Sequence, residues 1–260
     1  MFRDLVAQQG ERLLLVLALW LLLGAAEWAN PFPSSRPHDR AETRRHLAWL
    51  GVFFVVGPTV GWVVNHAIRV AARWSPLGGP VGAAPFAARI AVAVVAGEFV
   101  AYWLHRAMHV SKWLWALHAI HHRATEVRWW TAFRAHPLSG LLVHVLPFAA
   151  AAATGAGRDA VAVYVTAVVV LTVVAHADVY LPARGLDLLL VTPAFHRRHH
   201  ERGGDREHYA QILPAMDRLF GTAPHASKAK PIDRDVRLAA AEATAPRNES
   251  RTTRPTTTAS

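Results

Sequence analysis

The sequence predicts an all-α integral-membrane helical bundle with a histidine-rich helical cap that faces the cytoplasm and holds a dimetal site. Two compositional facts favour a membrane protein. Of the 260 residues, 53% are hydrophobic and only 18% are charged, whereas a soluble domain has about 25% charged residues. The third observation is that the chain has 16 histidines and no cysteine. Disulfides, thiolate zinc sites and iron–sulfur clusters are therefore excluded, and imidazoles or carboxylates must bind any metal.

Five apolar runs are candidate membrane segments, because a hydrocarbon core about 30 Å thick requires roughly 20 apolar helical residues. They cover 13–26, 47–65, 90–104, 137–157 and 160–175. The last two runs are joined by 155–159, whose two glycines indicate a turn, so they are predicted to form a helical hairpin. The Val-rich run at 161–174 has strand propensity, but its unbroken length favours a helix. A large soluble helical core is the alternative to a membrane bundle.

Composition divides the chain into three parts. We expect N-terminal membrane helices and a loop in 1–89, a catalytic domain in 90–222 and a disordered basic tail, rich in Thr and Pro, in 223–260. Acidic Asp4 and Glu11 argue against a cleaved signal peptide. The distribution of Arg and Lys predicts that the histidine motifs and the tail face the cytoplasm.

The histidines are concentrated in three motifs: HRAMH at 105–109, HAIHH at 118–122 and HRRHH at 196–200. Positions i, i+3 and i+4 of a helix lie on one face, so each motif presents two or three imidazoles to a common point. His136 and His176 lie at the two ends of the hairpin, which return to the depth of these motifs. The predicted metal ligands are His105, His109, His118, His121, His122, His136, His176, His196, His199 and His200.

Ten imidazoles exceed the roughly six ligands that one transition metal accepts, so they predict two metal ions. Imidazole suits iron, zinc, copper or nickel. A nitrogen-rich site without sulfur at a membrane surface favours iron that activates O2. Zinc with a bound water as nucleophile is the hydrolytic alternative.

Three further side chains are predicted to support the ligand histidines. Glu98, Tyr102 and His105 follow one another on one helical face. An ionisable residue inside an apolar run is a functional candidate, and Glu98 is predicted to orient the His105 ring. Asp178 is predicted to pair with a metal or a ligand histidine. The alternative for Glu98 is an interfacial carboxylate.

The remaining histidines lack this spacing. His144 lies inside an apolar run and is predicted to be structural, whereas His46 and His66 are expected to be solvated.

In order and spacing, these motifs resemble the fatty acid hydroxylase and sterol desaturase superfamily, integral-membrane non-haem di-iron oxygenases. Besides the three histidine motifs, the resemblance includes RAHP at 134–137, HAD at 176–178 and DRLFGT at 217–222. It covers 98–222, about half of the chain. Two departures are Glu98, where the family often has Asp, and Asp178, where Asn is common. Neither removes a clustered histidine.

The resemblance implies an oxidoreductase that hydroxylates or desaturates a C–H bond of a lipid. Its cofactors would be two iron ions, with O2 as co-substrate and no catalytic residue beyond the metal centre. The implied partners are the bilayer, the lipid substrate and a separate electron-transfer protein. Sterol, fatty acyl, carotenoid and ether lipid substrates all remain open. No nucleic-acid partner is expected, because the basic residues behind the net charge of +10 form no single stripe.

Two other functions compete with this interpretation. A membrane zinc-dependent hydrolase or isomerase would use the same imidazoles, and metal analysis would distinguish it. A metal transporter or sensor would need polar groups at mid-membrane in several helices. Only Glu98 and His144 meet that description, which counts against transport.

Overall fold

A computed structural model describes residues 14, 17–18, 21–32, 39–75, 78–181, 185–200 and 207–223, and its regular elements are helices. We number them α1 (21–29), α2 (Arg40–Arg73), α3 (Gly78–Gly82), α4 (Phe86–Val110), α5 (Lys112–His122), α6 (Pro137–Ala153), α7 (Arg158–His176), α8 (Pro193–His200) and α9 (Ala215–Leu219). Short 3₁₀ helices cover Trp129–Phe133 and Leu186–Leu188. Within these residues the β-structure is one isolated bridge, between Pro31 and Val179. The predicted all-α class is confirmed.

Three helices, α2, α4 and α7, are long and apolar enough to cross a membrane by length and composition, and α6 is a shorter apolar helix. Large apolar side chains on α2 point outward, with Val55 79% and Trp62 65% exposed. Such surfaces are costly in water but natural against lipid. The run at 13–26 is only partly described and stays a prediction as a span.

The predicted hairpin is present, because α6 and α7 are helices separated by the turn at 154–157. Gly157 has φ +87°, a left-handed conformation that favours glycine. Arg89 of α4 forms two hydrogen bonds of 2.7 Å with the carboxylate of Asp159 and a third with the carbonyl of Ala156. These contacts fix the turn against α4.

Helices α4 and α7 approach closely at Gly97. A Cβ atom there would lie 2.3 Å from Cε1 of Tyr164, so a larger residue would displace that ring. The buried ring of Tyr164 belongs to the main apolar cluster, which also contains Ala93, Phe148 and Val168. The core of the bundle therefore lies between α4, α6 and α7.

The histidine motifs meet at one end of this bundle. Helices α4 and α7 end at or next to their histidines, α5 starts two residues after α4, and α8 packs against α7. The position of the histidine cap is therefore set by the ends of the apolar helices α4 and α7. Residues 224–260 of the predicted tail lie outside the described residues, and the predicted boundary at 89/90 stays a prediction.

Candidate metal centre

Nine of the ten predicted ligands converge in two groups. One nitrogen of each ring in a group lies within 4.8 Å of those of all the others. The first, the five-histidine group, contains His105, His109, His118, His122 and His199. The second, the four-histidine group, contains His121, His176, His196 and His200. The groups adjoin, since the rings of His122 and His200 stack with centroids 4.6 Å apart.

The Nε2 atoms are the ones that converge. In the four-histidine group, Nε2 of His176 lies 3.0 Å from Nε2 of His121 and 2.9 Å from Nε2 of His196. In the five-histidine group, Nε2 of His118 lies 3.1 Å from that of His105 and 3.2 Å from that of His122. Two imidazole nitrogens bound at right angles to one metal, each about 2.1 Å away, would be separated by about 3.0 Å. The observed spacings fit shared coordination.

Backbone carbonyls fix the tautomers of four rings. Nδ1 of His121 meets the carbonyl of Arg134 at 3.2 Å, and Nδ1 of His176 meets the carbonyl of Thr172 at 2.7 Å. A carbonyl only accepts, so Nδ1 donates and Nε2 of each neutral ring carries a lone pair. Two lone pairs 3.0 Å apart repel each other, and a cation between them relieves this. The chemistry of the donor set therefore fits a metal ion.

The same reasoning applies in the five-histidine group. Nδ1 of His105 donates to the carbonyl of Tyr209, and Nδ1 of His199 donates to the carbonyl of Glu207, both at 2.9 Å. Nε2 of His199 is buried and has no hydrogen-bond partner among the described residues. A buried lone pair without a partner is costly unless a ligand binds it. This atom is directly available to a metal.

The cap favours neutral imidazoles. Burial lowers the pKa of the His122 ring to about 3, and the nearby rings of His105 and His176 act in the same direction. Burial also places the pKa values of His121 and His199 well below their usual range, with neighbouring imidazoles adding to the effect. Metal ligation requires deprotonated nitrogen, so these rings are ready to bind at neutral pH.

His136, the tenth predicted ligand, lies in neither group. Its Nδ1 accepts a hydrogen bond of 3.2 Å from the backbone N–H of Leu138, and it is the N-cap of α6. Pro137 occupies the first helical position, where proline is favoured. The dipeptide His136-Pro137 thus begins α6. The proline after His136 in the sequence could have indicated this helix start.

Glu98 does not make the expected contact with His105. Its Oε2 accepts from the backbone N–H groups of Ile212 and Leu213 at 2.9 and 3.1 Å, and its Oε1 accepts from the hydroxyl of Tyr164 at 3.2 Å. Glu98 and His105 are separated by two helical turns, or about 10 Å, which a carboxylate cannot bridge. The buried carboxylate instead ties the chain at 212–213 to α4 and α7.

Tyr102 supports the same segment of chain. Its hydroxyl lies 2.8 Å from Oγ1 of Thr222, which donates to Asp217 at 2.7 Å. The Asp217 carboxylate also accepts from the backbone N–H of Tyr209 at 2.7 Å. Because the carbonyl of Tyr209 orients His105, Tyr102 and Asp217 act on that ring through the backbone. Burial raises the pKa of Asp217 despite these hydrogen bonds.

Asp178 pairs with arginines. It contacts the guanidinium of Arg197, the residue after His196, and lies 3.7 Å from Nη1 of Arg128. Its backbone N–H donates to Glu27 at 2.9 Å. Asp178 therefore connects the ends of α7 and α8, which carry His176 and His196.

Sequence reasoning missed two buried carboxylates, Glu27 and Glu42, from the N-terminal helices. Glu42 is 1% exposed, and its Oε1 lies 2.6 Å from Nη1 of Arg134 and accepts from the N–H of Thr125 at 3.0 Å. Glu27 accepts from the N–H of Trp129 at 3.0 Å. Arg128 pairs with Glu27, Glu126 and Asp178, Arg197 also pairs with Asp178, and Arg134 pairs with Glu42. We call these seven side chains the buried charge network.

The network bears directly on the four-histidine group. Arg134 donates through Nε to the carbonyl of Ile120 at 3.0 Å, and its own carbonyl orients the adjacent His121. His46, expected to be solvated, is 4% exposed and has Nε2 3.6 Å from Glu42. The sequence did contain a signal for the buried charge network: Glu27 lies near the end of α1 and Glu42 near the start of α2. A carboxylate that is buried at the end of an apolar helix requires a charged or hydrogen-bonding partner. His66 is exposed on α2, and its solvation stays a prediction.

A cavity of about 140 Å³ opens beside the two groups. Histidines of both groups line one side of it, namely His105, His118, His121, His176 and His196. The other walls are largely small or apolar, including Ala101, Leu104, Gly140, Val143 and Ala175. These residues come from α4, α6 and α7, so the cavity lies between bundle helices. An apolar molecule in it would lie against the imidazoles.

A family model described as "Fatty acid hydroxylase" matches residues 90–222, just over half of the chain. The chain belongs to the fatty acid hydroxylase family. The resemblance inferred from the histidine motifs is therefore confirmed. The part matched to the fatty acid hydroxylase family contains all nine converging histidines and excludes Glu27 and Glu42.

Curated relatives include enzymes that act on lipids and aldehydes. The chain is 29% identical to "Very-long-chain aldehyde decarbonylase GL1-6" of Oryza sativa subsp. indica, over 68% of this chain and 27% of that protein. It is 32% identical to "Alkylglycerol monooxygenase" of Danio rerio, over 49% of this chain and 29% of that protein. It is 29% identical to "Ornithine lipid hydroxylase OlsE" of Rhizobium tropici, over 53% and 42%. The match thus spans less than half of each of these relatives, and no solved structure matches the chain significantly.

Proposed function

We propose that this protein is a membrane-bound, O2-dependent lipid oxygenase, a hydroxylase or desaturase, with an iron ion in each histidine group. The observation that carries the proposal is the convergence of nine imidazoles in two adjoining groups beside an apolar cavity. The family membership and the names of the relatives support a lipid C–H bond as the target.

The overall reaction fixes what must be supplied. In hydroxylation one oxygen atom of O2 enters a C–H bond and the other leaves as water, with two electrons and two protons taken up. In desaturation both oxygen atoms leave as water, the lipid loses two hydrogens, and two electrons and two protons are again taken up. We propose that the electrons come from a separate electron-transfer protein, the partner that the family resemblance implies. The bound iron ions would supply the activation of O2.

The residues of the chain prepare this chemistry. Carbonyls of Tyr209, Arg134, Thr172 and Glu207 fix ring tautomers, so that Nε2 lone pairs point inward. The apolar walls orient the lipid and exclude bulk water, which protects an oxidising site from side reactions. Imidazole is also a suitable ligand because it lacks the sulfur that an oxidant would attack.

The proposal predicts that the protein changes the mass of a cellular lipid in an O2-dependent way. Cells that produce the full chain should, under ¹⁸O2, contain a lipid with one heavy oxygen if the reaction is hydroxylation, or a lipid lacking two hydrogens if it is desaturation. Cells that produce His121→Ala serve as the control and should lack the product. Mass spectrometry of total lipid extracts measures both. Equal lipid profiles in the two strains would overturn the proposed activity.

We also propose that the histidine cap faces the cytoplasm, on the basis of the Arg and Lys distribution. Arg123 is exposed at the end of α5, beside the cap. Because the chain has no cysteine, Arg123→Cys creates a unique thiol. A membrane-impermeant maleimide should label it only after the cells are opened. Labelling in intact cells would place the cap outside and reverse the assigned topology.

A further inference from the structure

Two polar side chains in the cavity wall have buried oxygens without partners. Oγ1 of Thr172 and Oε1 of Gln211 are buried and make no hydrogen bond to any described residue. Both residues line the cavity beside the histidines. A buried hydroxyl or amide oxygen left without a hydrogen bond costs about 1–3 kcal/mol. Such atoms indicate that a polar group of an occupant meets them.

Both side chains lie close to the imidazoles. Thr172 is one helical turn before His176 on α7, about 5–6 Å along the axis, and its carbonyl binds the Nδ1 of that ring. Gln211 lies between Tyr209, whose carbonyl binds His105, and Ile212, whose N–H binds Glu98. The segment therefore places Gln211 within two turns of His105 on α4. The polar part of the wall is next to the metal groups.

The chemistry of the lining specifies the occupant. The described residues around this cavity include no Lys, Arg, Asp or Glu, and a charged headgroup buried without a partner would be strongly disfavoured. A carboxylate could not donate to the amide oxygen of Gln211, and a cationic group would lie beside the proposed iron ions, so the occupant's polar group is neutral. The amide oxygen of Gln211 requires a donor, and the hydroxyl of Thr172 can donate to an acceptor. A hydroxyl or a secondary amide satisfies both, whereas an ether or ester oxygen only accepts.

We propose that Thr172 and Gln211 form a binding subsite for a neutral donor–acceptor group of the lipid substrate, a hydroxyl or secondary amide. The inference rests on the proposed lipid oxygenase function and narrows its substrate class. Because the subsite lies one to two turns from the ligand rings, the oxidised carbon is within a few bonds of the polar group. A fatty acid carboxylate and an unsubstituted alkyl chain are not substrates of this class.

Binding of matched probes to the purified full chain in lipid nanodiscs tests the subsite. The probes are 1-hexadecanol, which donates and accepts, and 1-methoxyhexadecane, which only accepts. Wild-type protein should bind the alcohol about tenfold more tightly, the factor expected for one additional neutral hydrogen bond. NMR then locates the hydroxyl end of the alcohol, which is ¹³C-labelled at C1. Paramagnetic cobalt(II) in the protein should broaden the C1 signal more than the terminal methyl signal, and zinc-loaded protein is the diamagnetic reference.

Variants assign the effect to the two side chains. Gln211→Leu should weaken binding of the alcohol about 5- to 10-fold and leave the ether unchanged, because only the alcohol donates to the amide oxygen. Thr172→Val should weaken binding of both probes, because the hydroxyl of Thr172 donates to the oxygen of either one. Thr172→Ser retains the hydroxyl and should bind like wild type. Thr166→Val, an exposed position on the same helix, is the matched control and should have no effect. Each variant's cobalt absorption spectrum should equal that of the wild type, which shows that the cap is intact.

Equal affinities of wild-type protein for the alcohol and the ether would overturn the subsite without any variant. So would stronger broadening at the methyl end than at C1. Failure of the protein to bind any metal would overturn the proposed oxygenase, whereas the affinity comparison would still test the subsite in metal-free protein. The two claims therefore fail separately.

Discussion

His176→Ala is expected to lose the metal ion of the four-histidine group and all turnover, while the five-histidine group keeps its ion. Only three imidazoles remain in the four-histidine group of this variant, and the lone pair that faced Nε2 of His121 is removed. The loss of metal affinity should exceed the roughly 10- to 100-fold typical of residues that only orient a ligand. His199→Ala should show the converse selectivity, with a smaller loss, because four rings remain. Metal analysis of purified protein measures both effects.

His136→Ala is the matched control for these variants. It removes an imidazole in the same cap, yet the ring caps α6 and lies outside both groups. We expect full metal content and a loss of stability of about 1 kcal/mol, as for other N-caps. If His136→Ala lost one metal and His176→Ala lost none, the grouping of the ligands would be wrong.

Glu42→Gln should weaken metal binding in the four-histidine group about 10- to 100-fold, even though Glu42 touches no ligand. Removing the carboxylate leaves Arg134 buried and without its 2.6 Å ion pair, a change that costs about 3–5 kcal/mol in buried pairs. Arg134 then no longer fixes its own carbonyl against His121. Competition with a chelator, followed by metal analysis, gives the affinity of each group.

The control is Asp159→Asn, which makes the same acid-to-amide change in the pair with Arg89. Asp159 is 54% exposed and lies far along the chain from the cap, so the effect should be small. A purely structural role of Glu42 would lower thermal stability and affect both metal groups equally. Equal loss from both groups, or no loss, would contradict a positioning role.

The sequence contained enough information to predict the helices and most of the site. Apolar runs predicted α2, α4 and α7 because membrane helices depend on local composition. The three histidine motifs predicted eight of the nine converging rings, because the i, i+3 and i+4 positions of a helix share a face whatever the tertiary structure. The ninth, His176, was predicted from its place at the end of the hairpin.

Other features depended on the tertiary fold. Periodicity placed Glu98 and His105 on one face but could not show that the chain at 212–213 returns to accept the carboxylate. The partners of Glu27 and Glu42 are about 80 to 150 residues away in sequence. Such contacts follow from the packing of α1 and α2 against the cap, which no local pattern encodes. His136 lies outside both groups, because its return to the depth of the cap does not determine where its ring points.

The iron content and Mössbauer spectrum of ⁵⁷Fe-loaded protein test the central claim most directly. The adjoining groups, with His122 and His200 stacked at 4.6 Å, predict two iron ions per chain that are magnetically coupled in the oxidised state. Full-length protein, loaded with iron under anaerobic conditions and then exposed to O2, should give one coupled species. A single iron per chain, two uncoupled ions, or a preference for zinc with no iron-dependent turnover would contradict the account.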